Sequence, residues 1–292
     1  MQQITPNVYV DFQFSDPPLG RGSNPGFVVT SEGIVMIDTP MLPTYAIRWR
    51  DELAKRGEIR YIINTEYHVD HFGGNYFFPG PIISHQGVRE ILSCPVEKII
   101  PFGTVKVATA RSMDLREYIL WRYEELDPEG LTLTQSYEPR LPTITFSERL
   151  TLYVGDHTFE LIHLPGHTPY QALVYIPQER VVFTGDNFSN KVQASLAQCL
   201  PLEWIESLGK IEALDVDFFI PGHGPLGNKT DLREFTQFIQ GVIDTVRQAI
   251  NQGLSKEETA DKISFEDQRP ARHAGAEQQR MNIMHLYDML SR

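Results

Sequence analysis

The run Thr65-Glu66-Tyr67-His68-Val69-Asp70-His71-Phe72-Gly73-Gly74-Asn75 constrains this chain more than any other stretch. Just before it, Arg60-Tyr61-Ile62-Ile63-Asn64 is apolar and β-branched, which predicts a short buried strand. A strand that stops at a cluster of carboxylates and imidazoles delivers them to the rim of a sheet, where loops carry function. Glu66, His68, Asp70 and His71 are four potential metal ligands in six residues. In an extended loop the alternate spacing points Glu66, His68 and Asp70 one way, and His71 reaches a second centre. That layout suits two metal ions. A merely solvated polar loop explains it poorly, because ligand-type residues recur downstream in the same setting.

Leu164-Pro165-Gly166-His167 follows the apolar run Phe159 to Ile162, and Gly185-Asp186 follows Arg180 to Phe183. Pro221-Gly222-His223-Gly224 follows Val216 to Ile220. Each reads as a strand ending in a glycine-assisted turn that exposes one His or Asp, and glycine lets the backbone come close to a bound ion.

Together these motifs resemble the metallo-β-lactamase superfamily, whose pattern is an HxHxDH loop followed by His, Asp and His at strand ends. The resemblance runs from the N-terminal strands to Gly224, with one departure: Glu66 stands where the family has its first His. It implies an α/β (α+β) fold, an αββα sandwich of two mixed sheets with the metals at one edge. It also implies a ligand set. Glu66, His68 and His167 would hold the first ion, Asp70, His71 and His223 the second, with Asp186 bridging. Asp70 is the catalytic candidate. Asp38, at a strand end before Thr39-Pro40, would brace the ligand loop, although a plain turn role fits it equally.

The pattern along the chain agrees with sheets covered by helices. Strands are expected at Val8–Val10, Gly26–Thr30 and Gly33–Asp38, and a helix from Thr44 to Arg56. The chain reads as one domain over 1–292, with an aromatic, helical insertion at about 86–141 and C-terminal helices at about 229–292. Arg111 to Glu125 predicts an amphipathic helix, suited to a lid or substrate wall, or to core or dimer packing. Pro128, Gly130 and Pro139 mark a loop after it, and Pro270 and Gly275 a polar linker before a terminal helix from Met281. The turn-rich loop Ser15–Pro25 could overhang the site. His85 and His163 read as capping or packing residues, and His273 and His285 as surface or packing ones.

Composition narrows the function. Hydrophobic residues at 41% and charged ones at 22% describe an ordinary globule, and the formal charge of −12 argues against nucleic acid or an anionic membrane as partner. No apolar run is long enough to span a bilayer, and Met1 to Pro6 has no signal-peptide pattern, so a cytoplasmic location is expected. Cys94 and Cys199 have no CxxC spacing and read as buried or incidental thiols. No Ser lies in a GxSxG elbow.

The expected activity is therefore hydrolysis of a small-molecule ester, thioester, lactone or similar carbonyl compound by metal-activated water. Zinc is the expected ion, with manganese or iron as alternatives. With His in the first position, two dications, two Asp and hydroxide leave one positive charge; Glu66 makes the site neutral. Glu66 should then make bound water less acidic and favour harder ions. A third-subclass-like β-lactamase is the alternative substrate reading, and a degenerate binding or scaffold protein the non-catalytic one. Lys191 and Arg111 are weak candidates for a substrate carboxylate, more often solvated. A homodimer through the aromatic insertion or terminal helix is compatible with the pattern.

Overall fold

In the computed structural model, which describes residues 1–12, 22–100, 110, 112–134, 136–269 and 275–291, the β-branched runs pair into two mixed sheets. The first has the order β1 (Gln2–Gln3), β2 (Val8–Val10), β3 (Gly26–Thr30), β4 (Gly33–Ile37), β5 (Ile59–Ile63), β6 (Ile82–His85), β7 (Ile144–Phe146). Its members are antiparallel up to β4 and parallel from β4 to β7. The second runs β12 (Phe218–Ile220), β11 (Val181–Phe183), β10 (Ala172–Ile176), β9 (His157–His163), β8 (Arg149–Val154), with only β11 and β12 parallel.

Alternation along the strands decides what lies between the sheets. Val28, Val35, Ile37 and Ile63 of the first meet Phe159, Leu161, Val174 and Phe183 of the second in a dry inner core. The opposite faces are also apolar, so each sheet takes a layer of helices. Helices Pro43–Leu53, Gln86–Leu92 and Leu115–Leu126 cover the first sheet around Trp49, Val88 and Ile119. Helices Pro201–Glu212, Lys229–Asn251, Lys256–Lys262 and Gly275–Leu290 cover the second around Trp204, Phe235 and Leu286. This is the αββα sandwich expected from the sequence.

Side-chain caps end several helices where the sequence offers them. Asp114 with Glu117, Asn228 with Asp231 and Ser255 with Glu258 form capping boxes, each satisfying amides the helix cannot. The helix expected from Arg111 begins instead at Leu115, and Arg111 itself lies outside the described residues. The expected loop after it contains a helical turn, Pro128–Leu131, with proline at its first position and Asp127 as its cap. The terminal helix starts at Gly275, before the expected Met281. Residues 15–21 of the turn-rich loop, residues 101–109 of the insertion, Pro270 and His273 also lie outside the described residues.

The insertion packs rather than standing free. Tyr118, Ile119 and Tyr123 are buried in the first outer core, and the Tyr123 hydroxyl donates to the Gly73 carbonyl at 2.6 Å. The aromatic stripe thus pins the backbone behind the ligand loop. Cys199 is buried as expected, whereas Cys94, at the end of a helix, is exposed. Among the described residues, no helix is long and apolar enough to cross a membrane.

Trp204 ties this scaffold to the second half of the ligand set. It is fully buried, its indole donates to the Asn187 carbonyl at 3.0 Å, and its ring meets those of His167 and Phe235 edge-on. Trp204→Ala should cost about 3–5 kcal/mol of unfolding free energy. Urea titration measures it as a lower midpoint at unchanged slope; a loss under about 1 kcal/mol would contradict this packing account.

Candidate metal centre

The side chains converge at one end of the seam between the sheets. Three sets of donor atoms lie within 4.8 Å of one another: Glu66, His68 and His167; Asp70, His71 and His223; and Glu66, His71 and Asp186. The first two sets coincide with the grouping expected from the sequence, and Asp186 lies between them. His71 Nε2 is 3.2 Å from Asp186 Oδ1, and His223 Nε2 is 3.1 Å from Asp186 Oδ2. His167 Nε2 is 3.4 Å from that same Oδ2.

Local structure corrects one expectation. The strand ends at Ile63, Thr65 to His68 bend, and Val69–Phe72 forms a helical turn that Gly73–Phe77 continues as a tighter one. Asp70 therefore does not point with Glu66 and His68 as alternation would require. The turn swings Asp70 and His71 together towards His223. A bent segment carries the first pair, and helical spacing places the second.

Every imidazole is held from behind. His71 Nδ1 donates to Asp38 Oδ2 at 2.8 Å, His167 Nδ1 to the Ser195 carbonyl at 2.9 Å, and His223 Nδ1 to the Gly22 carbonyl at 2.9 Å. His68 Nε2 donates to Gln198 Oε1 at 2.8 Å. In each ring the other nitrogen faces the centre, the arrangement that fixes tautomer and orientation in metal-binding histidines. Asp38 also accepts from the Thr65 amide and hydroxyl, both at 2.8 Å, and adopts a positive φ of 54°. It braces the ligand loop and forms the turn, so both readings of it meet in one residue.

The donor set fits metal ions. Donors about 2.0–2.1 Å from a tetrahedral ion lie roughly 3.3 Å from each other. Here His167 Nε2 and His68 Nδ1 are 3.2 Å apart, and Glu66 Oε1 is 2.9 Å from His68 Nδ1 and 3.6 Å from His167 Nε2. Glu66 is fully buried, and its Oε2 has no hydrogen-bond partner among the described residues. A buried carboxylate oxygen left so is costly unless a cation meets it.

Burial opposes charge on His68, but Glu66 and Gln198 outweigh it and push its pKa up to about 9. Burial likewise opposes charge on His71, and Asp38 and Asp186 hold it well above the ordinary imidazole value. His167 moves the other way: burial lowers it despite Glu66 and Asp186. His68 and Asp70 are the more open members, each 20% exposed, so the centre opens on their side.

Other expected residues lie elsewhere. Lys191 is exposed and paired with Asp231 and Glu234, both at 2.9 Å. His285 donates to the Cys199 carbonyl. Sequence reading missed Gln198, Thr65 and Asn187, whose Oδ1 accepts the His167 amide at 2.9 Å. Asn187, next to Asp186, carried a faint signal; the Ser195 and Gly22 carbonyls carried none.

The sequence matches the model of the metallo-beta-lactamase superfamily over residues 19–223, and the chain belongs to that superfamily. Among curated relatives, a linear primary-alkylsulfatase from a Pseudomonas species is 21% identical over 80% of this chain and 48% of its own length. A hydroxyacylglutathione hydrolase from Mesorhizobium japonicum is 33% identical over 27% of this chain and 32% of its own. Among solved structures, a sec-alkylsulfatase from Pseudomonas sp. covers 97% of this chain and 49% of its own, at a TM-score of 0.65 and 16% identity. A metallo-beta-lactamase from Pontibacter korlensis covers 82% and 97%, at 0.56 and 18%. The chain spans about half the length of the alkylsulfatases it matches.

His85 and His163 form a separate pair behind the ligand loop. Their rings stack at 4.1 Å, and His85 caps helix Gln86–Leu92 by accepting the Gly87 amide at 3.1 Å. Burial, then the neighbouring His163, pull the His85 pKa down from 6.5 to about 4. Between those values the unfolded chain binds a proton that the folded one refuses. The stability contribution is thus complete above pH 6.5 and lost as pH falls towards about 4. His85→Asn keeps an acceptor for the cap but cannot titrate. Its unfolding free energy should fall less steeply over this range, measured by urea titration of metal-free protein; parallel curves would refute the assignment.

Proposed function

We propose that this chain is a metal-dependent hydrolase that holds two divalent cations, zinc in the first instance, and cleaves an ester, thioester, lactone or related bond in a small molecule. The observation that supports it best is the convergence of seven donor side chains at metal-like separations. Glu66, His68 and His167 would hold one ion, Asp70, His71 and His223 the other, and Asp186 would be shared. Glu66 also groups with His71 and Asp186, so its carboxylate belongs to both halves. Bound cations would supply a water acidified enough to react near neutral pH and a Lewis acid for the substrate oxygen.

The chain's own residues do the rest. The outer acceptors Asp38, Ser195, Gly22 and Gln198 hold the rings so that no reorientation accompanies reaction. Asp70, on the open side and 3.3 Å from His223 Nε2, would orient a nucleophilic water and take its proton. A second substrate reading, a sulfate ester, is favoured by the likeness to alkylsulfatases over most of this chain in both sequence and structure.

Metal analysis of purified protein should give about two ions per chain, and chelation should abolish hydrolysis. The panel is aryl esters, lactones, a glutathione thioester, a β-lactam and alkyl sulfates, each with zinc, manganese or iron(II). Turnover of the β-lactam alone would favour the lactamase reading. Protein with no metal affinity would instead be a binding or scaffold member of the family. Gly222→Ala tests the shared position separately, because a methyl group there overlaps Asp186 Oδ1. It should lower activity roughly 10- to 100-fold and cost bound metal. Full metal content and full activity would remove Asp186 from the centre.

A further inference from the structure

The stretch from Ser189 to Leu200 joins the turn Gly185–Asn187 to helix Pro201–Glu212 without a helix or strand of its own, yet half of it is buried. It supplies two contacts to the centre. The Ser195 carbonyl accepts from His167, and Gln198 Oε1 accepts from His68. Both rings belong to one half of the ligand set, the half that includes Glu66. An irregular strap can hold two rings only if its own backbone is fixed from the far side, since it has no ladder or helix to do so.

The terminal helix Gly275–Leu290 provides that fixing. Asn282 is 1% exposed. Its Oδ1 accepts the Leu196 amide at 2.7 Å, and its Nδ2 donates to the Ala194 carbonyl at 3.3 Å. These two peptide groups flank Ser195. Gln279 Oε1 takes the Gln193 side-chain amide at 3.4 Å, and His285 donates to the Cys199 carbonyl at 2.8 Å, next to Gln198. Positions 279, 282 and 285 are three apart and share one face of the helix. Ile283 and Leu286 already dock this helix in the apolar core. Docking alone therefore does not call for a buried amide, which is costly unless fully satisfied. An amide at 282 does what no apolar side chain can, meeting one donor and one acceptor of the strap at once.

We infer that Asn282 is a positioning residue for the His68–His167 half of the metal centre, acting through the backbone on either side of Ser195. The inference rests on the two-metal reading above. It also gives a role to a segment beyond residue 223, where the family match ends. Fixing peptides 194 and 196 sets the direction of the Ser195 carbonyl, and that carbonyl sets the His167 ring. Asn282 itself faces the strap and acts on the ions only through His167.

The test is zinc titration of metal-free protein in competition with a chromophoric chelator. In Asn282→Ala, one of the two ions should bind roughly 10- to 100-fold more weakly while the other is unchanged. In a His167→Ala background Asn282→Ala should bring no further loss at that ion, whereas in a His223→Ala background its effect should persist in full. A merely structural role for Asn282 would weaken both ions alike and add to either histidine variant. If Asn282→Ala fails to fold, Asn282→Asp keeps the shape and the acceptor but removes the donor, and should show the same selective loss in smaller degree. Wild-type protein that binds no zinc would defeat the two-metal reading itself. Wild type binding two ions, with an Asn282 variant unchanged at both, would overturn this inference alone.

Discussion

Buried charge of one kind at one place governs this structure. Glu66, Asp70 and Asp186 meet His68, His71, His167 and His223 within a few ångströms, most of them out of water. Carboxylates so close repel one another, and burial penalises each charge. The imidazoles offset this only in part, because each of the four spends one nitrogen on an acceptor outside the cluster. What remains is a set of lone pairs and carboxylate oxygens aimed inward, including a Glu66 oxygen with no hydrogen-bond partner among the described residues. Such a set is stable when cations complete it.

The fold delivers both layers of this arrangement from strand ends. Asp38 follows β4, Thr65 and Glu66 follow β5, His167 follows β9, Asp186 follows β11 and His223 follows β12. Because the inner core locks the two sheets face to face, these ends occupy one rim. Close approach is then limited by side-chain bulk, and glycine removes it. A methyl group on Gly222 would overlap Asp186, and one on Gly74 would overlap the Pro40 carbonyl. The superfamily's short glycine turns are thus space requirements here.

How much of this could be read beforehand depended on where the information lies. The side chains that converge were legible, since imidazole and carboxylate types recur after β-branched runs, and those runs became strands. The grouping of ligands matched the expectation carried by the family resemblance, yet the route for Asp70 did not. A four-residue helical turn overrode the alternation expected of an extended loop. The supporting acceptors were mostly invisible, because a backbone carbonyl such as that of Ser195 or Gly22 leaves no mark in a sequence. Gln198 and Asn282 lie where pattern is weak, one in an irregular strap and the other among the polar residues of a terminal helix. The aromatic insertion was legible as a helix, but its bond from Tyr123 to Gly73 depends on tertiary placement alone.

Glu66 is the fully buried carboxylate of the cluster, and its position decides what its charge can do. A carboxylate pointing away would leave one half of the site short of a ligand. Instead Glu66 Oε1 lies 2.9 Å from His68, 3.4 Å from His71 and 3.6 Å from His167, near the middle of the cluster. Its charge would be felt by both cations, and with hydroxide the centre sums to neutral where imidazole would leave it positive. A neutral centre favours an anionic transition state less strongly. It also holds an anionic substrate or product less tightly in the ground state, and such uniform binding does nothing for the chemical step.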